Sequence, residues 1–377
     1  MSAAAAFQGL LSGLDAGPCP EHLDLTEVGR SGLTGRGGAG FPIARKLAAM
    51  GPDGTVIANG SEGEPDSGKD AALLRTAPDL VIDGLLLASR AVSARHAVLA
   101  VKAGLADQAR TALGRRRDAR RLRVHVVEPG YVSGEASALA AAVDRRAPLP
   151  TDRVVRLTTS GVRRRPTLVQ NVETLAHLAV VARIGADRFR ALGSPDDPGT
   201  RLLTVTGDVA HPGVLEAPGG ARLADVLAAA GAGAIEAVRV GGDHGRWIRS
   251  GQADLRLAAA DGPGRVRAGA GAITVLGRGR CGLEATAEVL HRLADASAGQ
   301  CGPCVHGLPA LAAAFDAVVA GYDGWAQETA RLGGVVTGAG ACSHPDGTAS
   351  LAASALAAFA DDVAAHAALR CTARGQR

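Results

Sequence analysis

Three short apolar runs, Thr55–Ala58, His96–Val101 and Val124–Val127, alternate with two stretches of helical periodicity, Pro78–Ser93 and Ala103–Gly114. A strand that is apolar along its whole length must be covered on both faces. Helices inserted between such strands supply that cover when the strands run parallel. The alternation therefore predicts an α/β domain of βαβ units, Rossmann-like in style, ahead of whatever the rest of the chain builds. At 377 residues there is room for two or three domains, each with its own core.

Ahead of the first strand the chain reads GRGGAGFPIARK from Gly35 to Lys46, with four glycines in its first six residues. Backbone free of side chains can reach positive φ and bring its N–H groups onto a phosphate or against a flat ring. Gly35, Gly37 and Gly40 satisfy G-x-G-x-x-G. That dinucleotide fingerprint should follow a strand, however, and the preceding TEVGRSGLT has no strand character. A mobile surface loop remains the alternative for this stretch taken alone. The segment NGSEGEP, Asn59–Pro65, follows the first apolar run directly, at the end where an open parallel sheet presents its ligand crevice, so Glu62 and Glu64 are expected to face a ligand.

Further along, Gly130, Tyr131 and Gly134 break the third strand, and Glu135 opens an alanine-rich helix, where an acidic residue ordinarily answers the helix dipole. The passage APLPTDRVVRLTTSGVRRRPT shows no periodicity and leads to a helix over Asn171–Arg183 that Asn171 is suited to cap. GSPDDPG, Gly193–Gly199, reads as an interdomain connection. Strands over Leu202–Thr206, Val214–Ala217 and Ala237–Val240, with a helix over Leu223–Ala230 among them, suggest a small β-grasp module closed by Ala272–Leu276. From Leu283 onward the pattern is helical, over Leu283–Ala296, Gly307–Val319 and Thr348–Ala364, and predicts a small bundle.

The net charge of +4 comes from scattered arginines, and aromatics make up only 2% of the chain. A nucleic-acid surface interleaves basic residues with stacking rings, so the runs Arg115–Arg117 and Arg163–Arg165 read as solvated faces. The first thirty or so residues read as a loosely attached lead-in without the basic segment of a secretory signal. No uninterrupted apolar run reaches membrane-spanning length, and the expected location is cytoplasmic. Six cysteines do not make a disulfide scaffold in a chain this long. Cys301 and Cys304 form C-x-x-C, which suggests metal or redox chemistry, whereas Cys19, Cys281 and Cys371 look like isolated, buried apolar residues.

Five motifs, GLTGRGGAGFP, NGSEGEP, YVSGEASAL, PTLVQNVETLAHL and SAGQCGPC, occur in one order from about Ser31 to at least Gly347. In that order and spacing the chain resembles the flavoprotein F subunit of NADH-quinone oxidoreductase, the NADH-oxidising subunit of respiratory complex I. The resemblance implies an FMN- and NADH-binding α/β domain over 1–195, a ubiquitin-like β-grasp (SLBB) domain over 196–279 and a helical iron–sulfur bundle over 280–377. It implies Gly35, Arg36, Gly37 and Gly38 around FMN, Lys46 towards its phosphate and Asn59, Glu62 and Glu64 near the ring. Tyr131, Gly134, Glu135, Asn171 and Thr174 complete that site. Glu64 and Glu135 carry the catalytic expectation, setting ring electrostatics and nicotinamide access without acting as acid or base.

Departures from the family pattern are local. Ser61 stands for an aspartate, Ala136 for a glutamate and Gln170 for an asparagine. The family's C-x-x-C-x-x-C and its distant fourth cysteine correspond to Ala298, Cys301, Cys304 and Cys342, so one ligand is missing. A three-iron cluster, a four-iron cluster completed by His306, His344, Cys281 or an exogenous ligand, and no cluster at all remain open. Of the rings that stack on NADH, Phe41 is kept, while Ala49 and Arg156 replace two others. The resemblance thus implies electron transfer from NADH through FMN and an iron–sulfur cluster to a ferredoxin-like or thioredoxin-fold protein acceptor. An FMN protein that takes no NADH and a non-catalytic scaffold are the alternatives.

Overall fold

Val56 and Ala58 leave the first strand on one side and Ile57 on the other, and each side finds its own helical cover. The computed structural model describes residues 9–12, 19–152, 154–373 and 375–376. Helix α1 (Leu25–Ser31) is capped by Asp24 and stopped by Gly32 at φ 68°. After it come α2 (Ile43–Ala48), β1 (Thr55–Gly60), α3 (Lys69–Thr76), α4 (Pro78–Ala91), β2 (His96–Lys102), α5 (Ala106–Gly114), β3 (Arg123–Val127) and α6 (Ala136–Val143). The domain ends with β4 (Thr167–Asn171) and α7 (Val172–Ala191), the latter broken at Gly185, φ 79°.

The sheet runs β3-β2-β1-β4, with every pair parallel. On one face Val56, Ala58, Leu99, Val101 and Leu168 pack against α4 and α7. On the other, Ile57, Val98, Ala100 and Val169 meet Leu139 and Ala140 of α6. Helices α4 and α7 touch where Gly84 lies, since a Cβ there would stand 1.9 Å from Leu175 O. Strand β4 is absent from the sequence-based expectation. Five residues ending in Gln and Asn have little strand pattern of their own, and their pairing with β1 in register Thr55↔Thr167 makes them one.

The expected loose lead-in is corrected where it is described. Leu10 is buried, Leu10 and Leu11 donate backbone N–H groups to Glu216, and α1 packs on α7. Nor is GSPDDPG a slack connection: Asp197 within it is fully buried.

The second domain holds β5 (Thr200–Gly207), β6 (Gly213–Pro218), α8 (Leu223–Ala229), β7 (Ile235–Val240), β8 (Arg246–Arg249), β9 (Arg256–Ala258), β10 (Arg265–Arg267) and β11 (Ala272–Gly277). Its five-stranded sheet has the order β6-β5-β11-β7-β8. The last strand therefore fills the centre, parallel to β5 and antiparallel to β7. Leu223, Val226 and Leu227 of α8 cover Leu203, Val205, Val238 and Ile273, as a β-grasp requires.

The C-terminal bundle comprises α9 (Gly282–Asp295), α10 (Leu308–Ala320), α11 (Trp325–Val336), α12 (His344–Ala358) and α13 (Ala360–Ala367), followed by a two-residue strand, β12 (Arg370–Cys371). The predicted helix over Thr348–Ala364 is two helices, parted at Phe359, whose buried ring packs on Trp247. The expectation about apolar runs meets one borderline stretch, which His306 and Asp316 interrupt. Pro303–Ala320 is long and apolar enough to cross a membrane by length and composition, yet its Leu308, Leu311, Phe315 and Val318 are buried.

Candidate functional site

The glycine loop hangs between α1 and α2 as a closed turn. Gly35 N donates to Phe41 O at 2.9 Å, Ile43 N to Leu33 O at 3.1 Å, and Thr34 bridges to Pro42. A helix, not a strand, precedes it, so the dinucleotide fingerprint does not apply. Gly40 sits at φ 66°, where a Cβ would meet Ala259 O at 2.6 Å, which ties the loop to the β-grasp domain. Gly37 lies over Asn171, and Gly38, at φ 109°, approaches Gly269 and Ala270.

Arg36 stands apart from its glycine neighbours. Its N–H goes to Thr174 Oγ1 at 2.8 Å, and its buried guanidinium turns to Asp197 Oδ1 (2.9 Å), Pro198 O (2.7 Å) and Thr34 Oγ1 (3.1 Å). The side chain is an interdomain anchor, and Thr174, itself fully buried, holds the loop.

The ends of β1 and β4 bring the remaining residues together. Asn59 Nδ2 donates to Gly134 O at 2.8 Å, and its Oδ1 accepts from Ser61. Glu62 faces protein: its carboxylate accepts from the N–H groups of Asp70 (2.8 Å) and Ala71 (3.2 Å) at the start of α3, and from Ser67 Oγ. The reason is local, because a turn at φ 43° aims the side chain back at the next helix. Glu135 likewise caps α6 through Ser137 N and Ala138 N, and Asn171 caps α7 through Glu173 N. These are the capping roles their positions foreshadow. Asn171 also gives its Nδ2 to Asp70 Oδ2 at 2.7 Å.

Glu64 is different. Both of its oxygens accept from Asp243 N at 3.0 Å, and Tyr131 Oη donates to it at 3.2 Å. Burial, reinforced by the charge of Asp243, raises its pKa to about 7.

Two groups of this crevice are incompletely paired. Lys46 Nζ donates to Val169 O at 2.6 Å, and no carboxylate among the described residues forms an ion pair with it; burial lowers its pKa to about 8. Gln170 Oε1 is buried without a hydrogen-bond partner among the described residues, near Gly35. A cation without an anion, an acceptor without a donor and a glycine-rich backbone loop fit a ligand that carries a phosphate and hydrogen-bonding ring or sugar edges, as FMN does.

Sequence reasoning missed the buried triad at the back of the site. Lys69 Nζ bridges Asp70 (2.8 Å) and Glu173 (2.7 Å), and Glu173 accepts Leu202 N at 2.8 Å. The adjacent Lys-Asp pair just beyond NGSEGEP was the available signal. Also missed were His244 and its meeting with Tyr131 and His344, the histidine rings lying 5.1 and 5.3 Å from that of Tyr131 and 5.0 Å from each other. The three rings come from the three domains, and nothing local in the sequence announces their meeting.

Beside them lie the cysteines. Cys304 and Cys342 are buried and Cys301 is partly exposed. Burial and the neighbouring Cys301 and Cys342 push the Cys304 thiol up to about 12. Cys301 is desolvated too, but the N–H groups of Ala341 and Cys304 hold it below the usual thiol range. Cys304 lies on a widened turn, Pro303–Gly307, of the kind that recurs at functional sites. Ala298 offers no donor and His306 is exposed, whereas His344 gives Nε2 to Leu293 O at 2.7 Å and keeps a buried Nδ1 without a hydrogen-bond partner among the described residues. Cys281, the remaining alternative, lies with His366 instead. The residues fit a centre with three protein thiolates.

Residues 28–180 match the family described as the Nuo51 FMN-binding domain, 202–246 the SLBB domain, and 284–366 the NADH-ubiquinone oxidoreductase-F iron-sulfur binding region. The F subunit of NADH-quinone oxidoreductase in Streptomyces coelicolor is 30% identical over 396 residues, covering 96% of this chain and 86% of that protein. The alpha subunit of the NAD-reducing hydrogenase HoxS of Cupriavidus necator is 32% identical over 324 residues, covering 80% of this chain. This chain spans only 53% of that longer protein. Among solved structures, an NAD+-reducing NiFe hydrogenase in its air-oxidised state superposes with a TM-score of 0.87 at 32% identity, covering 96% of this chain and 67% of the other.

Proposed function

Since the chain belongs to the family of the NADH-quinone oxidoreductase F subunit, we infer that it is an NADH-oxidising flavoprotein that hands electrons to a protein acceptor by way of FMN and an iron–sulfur centre. The observation that carries the reading is Lys46, a partly buried ammonium with no carboxylate ion pair among the described residues, beside the glycine-rich loop. FMN, when bound, supplies hydride acceptance and the conversion from two-electron to one-electron transfer.

The chain supplies position and charge. Lys46 and the backbone of Gly35–Gly38 would hold the phosphate end, and Asn59 and Gln170 the hydrogen-bonding edges. Glu64 and Tyr131 would form the far wall. With its pKa near 7, Glu64 keeps that wall from carrying a full fixed charge at neutral pH. Glu135 and Asn171 act by fixing the first turns of α6 and α7, not by chemistry of their own. Cys301, Cys304 and Cys342 would hold an iron–sulfur centre with one corner lacking a cysteine, and that centre would supply a one-electron acceptor. The relatives are named as subunits, so a partner subunit is expected as well. A ferredoxin-like or thioredoxin-fold iron–sulfur acceptor, reached in the cytoplasm, is the form we propose for it.

Phe41 is 48% exposed with the Arg45 guanidinium 5.6 Å from its ring centroid, a surface ready for an adenine. Ala49 and Arg156, also exposed, add no second ring. Their loss favours the second reading, a flavin protein reduced by another protein and not by NADH. Anaerobic addition of NADH to the yellow protein separates the two. Bleaching of the flavin supports NADH oxidation, whereas flavin that bleaches with dithionite alone overturns it. If NADH is the donor, Phe41→Ala should raise KM for NADH about 10- to 100-fold, the worth of one base-stacking ring, with FMN content unchanged.

A further inference from the structure

Cys281, His366 and Cys371 lie outside both the flavin crevice and the Cys301–Cys304–Cys342 set. All three are buried, at 3%, 0% and 1% exposure. Cys281 immediately precedes α9, His366 is on α13 and Cys371 is on β12, so three separate elements converge. One donor atom from each falls within 4.8 Å of the other two, and Cys281 Sγ is 3.5 Å from His366 Nε2. Two ligands sharing a tetrahedral zinc, with Zn–S of about 2.3 Å and Zn–N of about 2.0 Å, stand about 3.5 Å apart.

The imidazole is oriented as metal-bound histidines are. Its Nδ1 lies 2.8 Å from Val319 O, and a carbonyl only accepts, so the proton is on Nδ1 and the Nε2 lone pair faces the thiols. Gly321, at φ 86°, makes that contact possible, since a Cβ there would meet His366 O at 2.1 Å. Burial pushes the Cys281 thiol up to about 11, opposed by the backbone of Leu283 and Glu284 and reinforced by Cys371. A bound cation would reverse that cost.

We propose that Cys281, His366 and Cys371 form a structural zinc site, separate from the iron–sulfur centre, that fastens the C-terminal α13–β12 segment to the start of the bundle. Binding displaces two thiol protons, and the two thiolates neutralise Zn2+. With three protein ligands, the fourth position falls to a small exogenous ligand. The isolated buried cysteines expected from the sequence thereby become a pair with a histidine between them.

The test uses the full chain, purified anaerobically, stripped of metal and titrated with Co2+ and then Zn2+. Thiolate-to-cobalt charge-transfer and tetrahedral d–d bands are expected to appear, to persist in Cys301→Ser/Cys304→Ser and to be lost in Cys371→Ser. Zn2+ should displace Co2+ at this site at one equivalent per chain and raise Tm in the wild type but not in Cys371→Ser. Bands that survive Cys371→Ser, or a Cys281–Cys371 disulfide in the anaerobic protein, would overturn the proposal. Should Cys371→Ser fail to fold, X-ray absorption of zinc in Cys301→Ser/Cys304→Ser decides: two sulfurs and one imidazole support the site, and any other protein donor set removes it.

Discussion

Lys46→Met should release the flavin, weakening FMN binding about 10- to 100-fold while leaving riboflavin, which has no phosphate, bound as before. A charge-assisted hydrogen bond is worth about 1.5–3 kcal/mol, and Lys46 has its ammonium available for one, since its one partner among the described residues is the neutral carbonyl of Val169. Equilibrium dialysis with the two flavins measures the difference, and equal losses for both would show that the lysine serves the fold instead.

The pH dependence has a defined sign. Free of ligand, Lys46 titrates near pH 8 because burial disfavours its charge. FMN affinity should therefore be highest below pH 8 and decline above it, and Lys46→Met should abolish that slope. Stability of the flavin-free protein runs the other way. An unfolded lysine keeps its ordinary pKa of about 10.4, so the unfolded chain holds more protons between the two values, and stability from this residue rises with pH across that window.

Asp197→Ala should unfold the protein more readily than any surface change, by about 3–5 kcal/mol, because it leaves two guanidinium groups buried without their counter-ion. Arg36 and Arg201 both converge on this carboxylate, with side-chain exposures of 1% and 6% against 0% for Asp197. Burial, with Arg201 adding to it, already lowers Arg36 to about 10. Desolvation opposes ionisation of Asp197 too, but the hydrogen bonds and charges of Arg201 and Arg36 outweigh it and hold the carboxyl below its usual range. Its stabilisation is thus present above the ordinary carboxylate pKa and lost as pH falls through the lowered native value.

Denaturant unfolding of Asp197→Ala, Arg36→Met and the double variant checks the account. The double variant should lose less than the sum of the singles, since the pair shares one interaction. Arg36 immediately precedes Gly37 and Gly38, so Asp197→Ala should also lower FMN content in protein that remains folded. Two singles that simply add would mean that Asp197 and Arg36 do not act together.

These two residues divide between what was legible and what was not. Lys46 was placed towards a phosphate by the family resemblance, and in the fold its ammonium has no carboxylate ion pair among the described residues. Asp197 sat in GSPDDPG, which had every mark of a loose connection. Proline, glycine and two aspartates do interrupt secondary structure, but composition does not say whether the interruption is exposed, and here both neighbouring domains close over it. Glu62 shows the same limit in the crevice itself. An acidic residue after a strand was expected to face ligand, yet the backbone turn sends it to α3, while Glu64, two residues on, reaches the β-grasp domain.

By itself, the amino-acid sequence determined the parallel core of β1 to β3, the presence of a β-grasp module and the helices α9, α10 and α12 of the bundle, because apolar periodicity and turn residues act within a few positions of one another. The tertiary structure alone decided that β4 joins the sheet, that Tyr131, His244 and His344 meet across three domains, and that Cys281 finds Cys371 and His366. Those encounters depend on where side chains far apart in sequence point once the domains have packed, and no local pattern encodes a direction relative to a distant partner.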